Sequence, residues 1–365
     1  MPKKTTAQAA LLPNFKLLIE NKAAAKDLVS DILSITVSED LDAVGMFEIA
    51  IEAWDDLKQE LAWLDDSLLA LGSEVEIQMG FNQDLKTVFI GQITGLEPEF
   101  RHGENPKLVV RGHDRRHLLL RGKKTKSFAK MSDAAIAKKI AEIHGLTPKV
   151  VETQPKLVLE SVLQHNQTDY EFLSARAKRI GYELMVEGKT LHFRPHSTTE
   201  KEVMSFSAQK DLLEFLPRLT TMTQLPRVEV RGWSVKDKEA IVGMASTAPS
   251  KLGGKMGGKQ LGTVQTKKAF GSSTSKASHT VVTESITTKA EADLLATGQQ
   301  RDMAIAFITA EVTCGGLAIL RAGSAITITD AGSTFSGVYY LTAVEHTYSE
   351  ENGYETKFTA RRNST

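Results

Sequence analysis

Gly72-Ser73-Glu74-Val75-Glu76-Ile77, followed by Phe89-Ile90-Gly91, Ile93 to Glu97 and Leu108-Val109-Val110-Arg111, is a pattern that this chain carries twice. The second copy reads Gly323-Ser324-Ala325-Ile326-Thr327-Ile328, then Phe335-Ser336-Gly337, Leu341 to Glu345 and Thr356 to Arg361. Each copy is a turn glycine, an alternating strand, an F-x-G corner, a second strand, a polar hairpin tip and a third strand. Two copies are too few for a solenoid, which needs at least three repeats to bury a continuous core. The repeat therefore predicts two related β-domains. Its structural corners are Gly72, Gly91, Gly323 and Gly337, and the second F-x-G is read as the counterpart of the first.

Outward from the first copy, strands are predicted at Phe15–Ile19, Ile32–Val37 and Met46–Ala53. In the last of these, Phe47, Ile49 and Ile51 alternate with Glu48, Ala50 and Glu52, the period of a half-buried strand. Asp65 to Leu71 reads as a short helical turn. Residues 14–122 form one β-domain, closed or nearly so because many short strands would otherwise leave edges. Residues 1–13 form a flexible tail.

Residues 123–211 change period. Ser132 caps a short helix with Ile136, Ile140 and Ile143 on one face and Gly145 at its end. Thr168-Asp169-Tyr170-Glu171 is a capping box. It opens a helix with Leu173, Ala177 and Ile180 on one face and Gly181 as its stop. A hairpin turns at Glu187-Gly188-Lys189. This stretch is a smaller α+β domain. Residues 212–365 return to strands and include a second capping box, Thr288-Lys289-Ala290-Glu291, whose helix runs to about Ala304. Within it, residues 247–278 are rich in Gly, Ser, Thr and Lys and contain no acidic residue, which predicts a mobile loop. Its lysines, Lys251, Lys255, Lys259, Lys267 and Lys268, are candidates for contact with an acidic partner surface. The expected fold class is mainly β with an α+β insertion: two related tube-like β-barrel domains plus a smaller α+β domain.

Composition narrows the function. The 365 residues are 41% hydrophobic and 25% charged, with 45 basic and 45 acidic side chains. Zero net charge lacks the basic excess of a nucleic-acid coat, so no specific nucleic-acid partner is expected. No apolar run suggests a signal peptide or membrane insertion. The chain is expected to be made and assembled in a bacterial cytoplasm. The single cysteine, Cys314, excludes an intramolecular disulfide and a cysteine zinc site.

Each candidate for chemistry meets a plainer reading. Gly253 to Lys259 begins like a phosphate-binding loop, but Gln260 stands where a Ser or Thr would hold magnesium, and no helix follows. His113 and His117 have metal-chelating spacing but no third ligand, and Arg115 and Arg116 beside them would repel a cation. Glu97 and Glu99 are separated by Pro98 and do not form an evident glycosidase pair. His165 and Asp169 suggest half a triad, without a nucleophile elbow. Cys314 reads as a buried, inert thiol. No catalytic residue, cofactor or metal is assigned.

Three stretches resemble a known family. They are Gly232-Trp233 with Ala240-Ile241-Val242-Gly243; Gln164 through Tyr182; and Leu320-Arg321-Ala322-Gly323 through Tyr340 with His346-Thr347-Tyr348 and Gly353-Tyr354 to Phe358. In order and spacing, over roughly residues 14–362, they resemble the late control D family, baseplate hub proteins of contractile phage tails, with relatives in R-type bacteriocins and extracellular contractile injection systems. The resemblance implies a non-enzymatic homotrimer with two tube-like barrels per chain. Its partners would be the hexameric tail tube protein on one face, a trimeric spike on the other, and baseplate components around it. The chain shows no OB-domain, needle repeats or lysozyme domain, which implies a separate spike protein. Two readings from other classes stand beside it: a LysM-like glycan-binding module centred on the helix after Ser132, and a cell-wall-acting tail protein.

Overall fold

The computed structural model describes residues 11–55, 58–196, 202–222, 224, 227–234, 237–245, 278–282 and 286–365. The first six main strands are β1 (Pro13–Ile19), β2 (Ile32–Asp40), β3 (Met46–Glu52), β4 (Glu74–Phe81), β5 (Asp84–Glu99) and β6 (Lys107–His113). Alternation drives each of them. In β3, Phe47, Ile49 and Ile51 point into the core while Glu48 and Glu52 do not, and burial of such side chains contributes about 2 kcal/mol each.

The insertion follows. It comprises β7 (Lys124–Met131), α1 (Asp133–Ile143), β8 (Thr147–Val150), β9 (Leu159–Gln167), α2 (Asp169–Arg179), β10 (Tyr182–Glu187) and β11 (Thr190–Pro195). It has its own core around Phe128, Ile140, Phe172 and Phe193. Thr168 and Glu171 make both bonds of the capping box, at 3.1 and 2.8 Å. Leu173, Ala177 and Ile180 are buried. On α1, Ile136 and Ile140 are buried but Ile143 is 57% exposed, so the expected apolar face is one turn shorter, ending where the helix reaches its C-cap at His144.

The remaining elements are β12 (Glu202–Ser207), β13 (Leu212–Leu219), β14 (Arg227–Ser234), β15 (Glu239–Ala245), β16 (Ser278–Val281), α3 (Lys289–Ile305), β17 (Ile308–Gly315), β18 (Ala325–Thr329), β19 (Gly337–Ser349) and β20 (Gly353–Arg362). Strands β14, β15 and β16 make a separate three-stranded sheet covered by α3, with a core of Val228, Val230, Ile286 and Leu295.

Two strand groups have the same order. One runs β2-β3-β6-β5-β4-β1 and the other β13-β17-β20-β19-β18-β12. Their details also coincide. The β5–β6 ladder slips between Ile93 and Gly95, and β19–β20 slips between Leu341 and Ala343. The β2–β3 ladder slips between Ile32 and Ser34, and β13–β17 slips between Leu212 and Glu214. Ile93 therefore corresponds to Leu341, Glu97 to Glu345, Ser34 to Glu214 and Val37 to Pro217. The groups differ at one end, where β1 runs antiparallel to β4 and β12 runs parallel to β18.

Two sequence expectations are corrected here. Among the described residues neither group closes on itself through backbone pairing. Instead β19 pairs with β2 from Ala343–Asp40 to Ser349–Ser34, making one 13-stranded sheet. The edge that closure would have removed is used to join the two units. The F-x-G corners are also not equivalent. Gly91 lies opposite Val75, whereas Tyr339 lies opposite Ile326, the counterpart of Val75. Phe335 ends a helical turn before β19, while Phe89 sits within β5.

Candidate assembly surface

Turn glycines set the repeated unit. Gly72 and Gly323 have φ of +92° and +85°, where a side chain would be strained. Each donates its N–H to the equivalent strand residue, Ile93 and Leu341, at 2.8 Å, and each of those residues donates back to Ser73 or Ser324 at 2.9 Å. Gly91 has a different role, since a Cβ there would come within 2.5 Å of the His113 carbonyl oxygen. At Gly337 a Cβ would meet the Arg362 guanidinium at 2.4 Å. That guanidinium lies over the Tyr339 ring and donates to the Ser336 carbonyl. Gly72 and Gly323 thus sit at equivalent turns, while Gly91 lies within β5 and Gly337 begins β19. The five candidate lysines, the 253–259 motif and nearly all of the 247–278 stretch lie outside the described residues.

One ion pair crosses the joint between the units, and buried polar contacts fix each of its two sides. Arg321, just before β18, reaches Glu39 of β2 with two nitrogens and donates to the Thr87 carbonyl at 3.2 Å. Arg116 is held by Asp114 and donates to the Asp40 carbonyl at 2.9 Å. His346 of β19 is fully buried, with Nε2 3.0 Å from the Leu320 carbonyl and Nδ1 within reach of the Thr356 and Tyr354 hydroxyls. Burial pushes this imidazole down to about 4, so it is neutral, donating from Nε2 and accepting at Nδ1.

The insertion is clamped in the same way. Glu183 accepts from Arg194 at 2.7 Å, from Tyr340 at 2.5 Å and from His196 at 3.2 Å. Burial opposes its ionisation, but these donors outweigh it and hold the carboxyl below the usual range. Burial likewise opposes charge on His196, yet Asp302 and Glu183 outweigh it, and His196 is pushed up to about 9. Arg179 and Glu291 meet at 2.6 Å between α2 and α3. A polar cavity of about 360 Å³ beside this cluster is lined by Asp42, Lys178, Glu183, His196 and Asp302. Its floor is committed to these clamps.

The residues weighed for chemistry do not converge. His113 bonds Thr94 at 2.7 Å, and His117 bonds Gln92 at 3.0 Å. Glu97 lies beside Arg111, and Glu99 beside Arg101. Asp169 is bound by His144, Lys124 and Gln164. Its partner histidine is His144, at the end of α1, a pairing that sequence proximity to His165 concealed. Cys314 is buried, and burial pushes its thiol up to about 12. Among the described residues no group of three or more His, Cys, Asp or Glu is placed to hold a metal. Nor is any helix among them long and apolar enough to cross a membrane.

The model of the Alg8 N-terminal domain matches residues 10–350. The chain belongs to this family. The name denotes a domain and no activity. No curated protein matches the sequence. In fold, this Alg8 N-terminal domain is similar to the 43 kDa tail protein of prophage MuSo2 from Shewanella oneidensis. The TM-score is 0.70 at 13% identity, over 96% of this chain and 98% of that one. A tail protein from Neisseria meningitidis MC58 matches with a TM-score of 0.68 at 14% identity, over 96% and 97%. The E. coli c3393 protein, a type VI secretion system component described as structurally similar to the T4 tail proteins gp27 and gp5, matches with a TM-score of 0.54 at 14% identity, over 96% and 77%. At such identities the likeness is one of fold.

Proposed function

We propose that this chain is a structural baseplate hub of a contractile tail or injection particle, without enzymatic activity, as its resemblance to the late control D family implies. It forms a homotrimeric ring that seats a separate trimeric spike on one face and the hexameric tube on the other, surrounded by baseplate components. The observation that carries this reading is the duplicated unit. Three copies of a chain with two like strand groups offer six similar positions, which is what a trimer needs to meet a six-fold partner. The likeness in fold to tail proteins along nearly the whole chain supports the same reading. Such a particle component is assembled in the bacterial cytoplasm and released with the particle.

Electron microscopy of the chain co-expressed with its neighbouring spike candidate tests this. A three-fold hollow ring with a quasi-six-fold outline on one face is expected. A compact monomer that never rings, with or without the spike, would sink the proposal.

A further inference from the structure

Equivalent edges of the two strand groups have different fates. In the second group, the C-terminal half of β19 pairs with β2 of the first group, Ala343–Asp40 through Ser349–Ser34. The corresponding half of β5 has no strand partner on that side among the described residues, and β13, the counterpart of β2, pairs only with β17. One chain therefore carries one occupied junction and the two unmatched halves of another.

We infer that β13 of one copy pairs antiparallel with residues 95–101 of a second copy, in the register by which β2 pairs with β19. Transferring that register through the strand correspondences predicts Gly95 opposite Thr220, Leu96 opposite Leu219, Glu97 opposite Arg218 and Pro98 opposite Pro217. Glu99 then faces Leu216, Phe100 faces Phe215 and Arg101 faces Glu214. One row of this ladder is wholly apolar. The other places two opposite-charge pairs across the strands, each of the kind that favours cross-strand pairing. Sliding by two residues sets Glu99 against Glu214, or, in the other direction, keeps one ion pair and separates the prolines. Leu96, Phe215 and Leu219 already pack partly on the two cores, while Phe100 stands 63% exposed. Among the described residues Glu214 and Arg218 form no ion pair within the chain, while Glu97 and Arg101 have the exposed partners Arg111 and Glu99, which the joint would share.

The prolines mark the one rung of this ladder that lacks backbone hydrogen bonds. Leu41 N–H donates to the Thr342 carbonyl at 3.0 Å, so alternate pairs from there, including Val37–His346, exchange backbone hydrogen bonds. Pro217 and Pro98 stand at those two positions. Thr220 N–H turns toward Phe307 and Ala53 N–H toward Pro106, and counting from them places both proline nitrogens on the open edges. In a hydrogen-bonded pair each residue donates its N–H to the other's carbonyl, so the Pro98–Pro217 pair forms neither bond and confines both losses to one rung, whereas in any other register each proline would leave a separate partner carbonyl without its donor. Prolines on sheet edges otherwise serve to prevent pairing, which is the alternative that the test decides. Because β13 and β5 are different surfaces, the contact is head-to-tail and propagates until it closes. The inference takes only the number of copies, three, from the hub reading.

The test is disulfide trapping in the full chain. Non-hydrogen-bonded pairs bring Cα atoms to about 4.5 Å, within disulfide range, and Glu97–Arg218 is such a pair. The buried Cys314 does not compete. Glu97→Cys with Arg218→Cys is expected to give a reducible covalent trimer under mild oxidation, while Glu97→Cys with Glu214→Cys does not. Glu97→Arg alone is expected to weaken assembly, and adding Arg218→Glu to restore it. A trimer by native mass spectrometry without the in-register crosslink, or with equal crosslinking off-register, overturns this join and leaves the hub standing. A monomer without crosslink overturns both.

Discussion

Two histidines give the molecule a defined pH of greatest stability. His196, held near 9 against an ordinary 6.5, binds its proton more tightly when folded. Its contribution is complete below about pH 6.5 and is lost as pH rises through 9. His346, held near 4, behaves oppositely: its contribution is complete above about 6.5 and is lost as pH falls toward 4. Each shift corresponds to about 3 kcal/mol. Thermal melts between pH 4 and 10 should therefore peak near pH 6.5, and His196→Gln should flatten the alkaline side alone. A wild-type melting temperature that stays level from pH 6.5 to 9.5 would contradict the assignment. Neither shift could be read from the sequence, because the groups facing these rings, Asp302 for one and Leu320 for the other, come from distant parts of the chain. The turn glycines were legible there, because a positive φ leaves a local mark that a hydrogen-bonded imidazole does not.

At the scale of elements, the two capping boxes diverge. Thr168 and Glu171 complete theirs. Thr288 accepts from the Glu291 amide at 3.2 Å, but the Glu291 carboxylate bonds Thr287 and Arg179 instead. The start of both helices is legible in the sequence, since an N-cap depends on a neighbour three residues away. It does not reveal that the second carboxylate is taken by an arginine from the insertion, which is a matter of packing between elements. The consequence differs in size. Thr168→Ala removes one cap and should cost about 1 kcal/mol. Glu291→Ala removes the carboxylate 2.6 Å from buried Arg179 and should cost about 3 kcal/mol. Urea titrations of the two variants check the order, and equal losses would mean that the α2–α3 ion pair contributes little. The same distinction explains why alternating strands such as β3 were legible while the β2–β19 pairing was not. Alternation is local, but the choice of partner strand is decided by the whole sheet.

The whole molecule is two like units fused through one ladder, and that fusion governs how it unfolds. Chains of this length commonly unfold domain by domain. Here, opening the first unit would strip β19 of its β2 partner, expose His346 and leave Arg321 without Glu39. Opening the second would strip β2 in turn. The units should therefore lose structure together. Hydrogen exchange followed by mass spectrometry in rising denaturant should release Met46–Glu52 of the first unit and Ile308–Gly315 of the second at the same concentration. Both strands are central in their groups, so edge fraying does not blur the comparison. Arg321→Met should lower that shared midpoint without splitting it, since the ladder remains. Release of one strand well before the other in the unaltered chain would mean that the ladder couples the units only weakly, and that each folds as an independent domain.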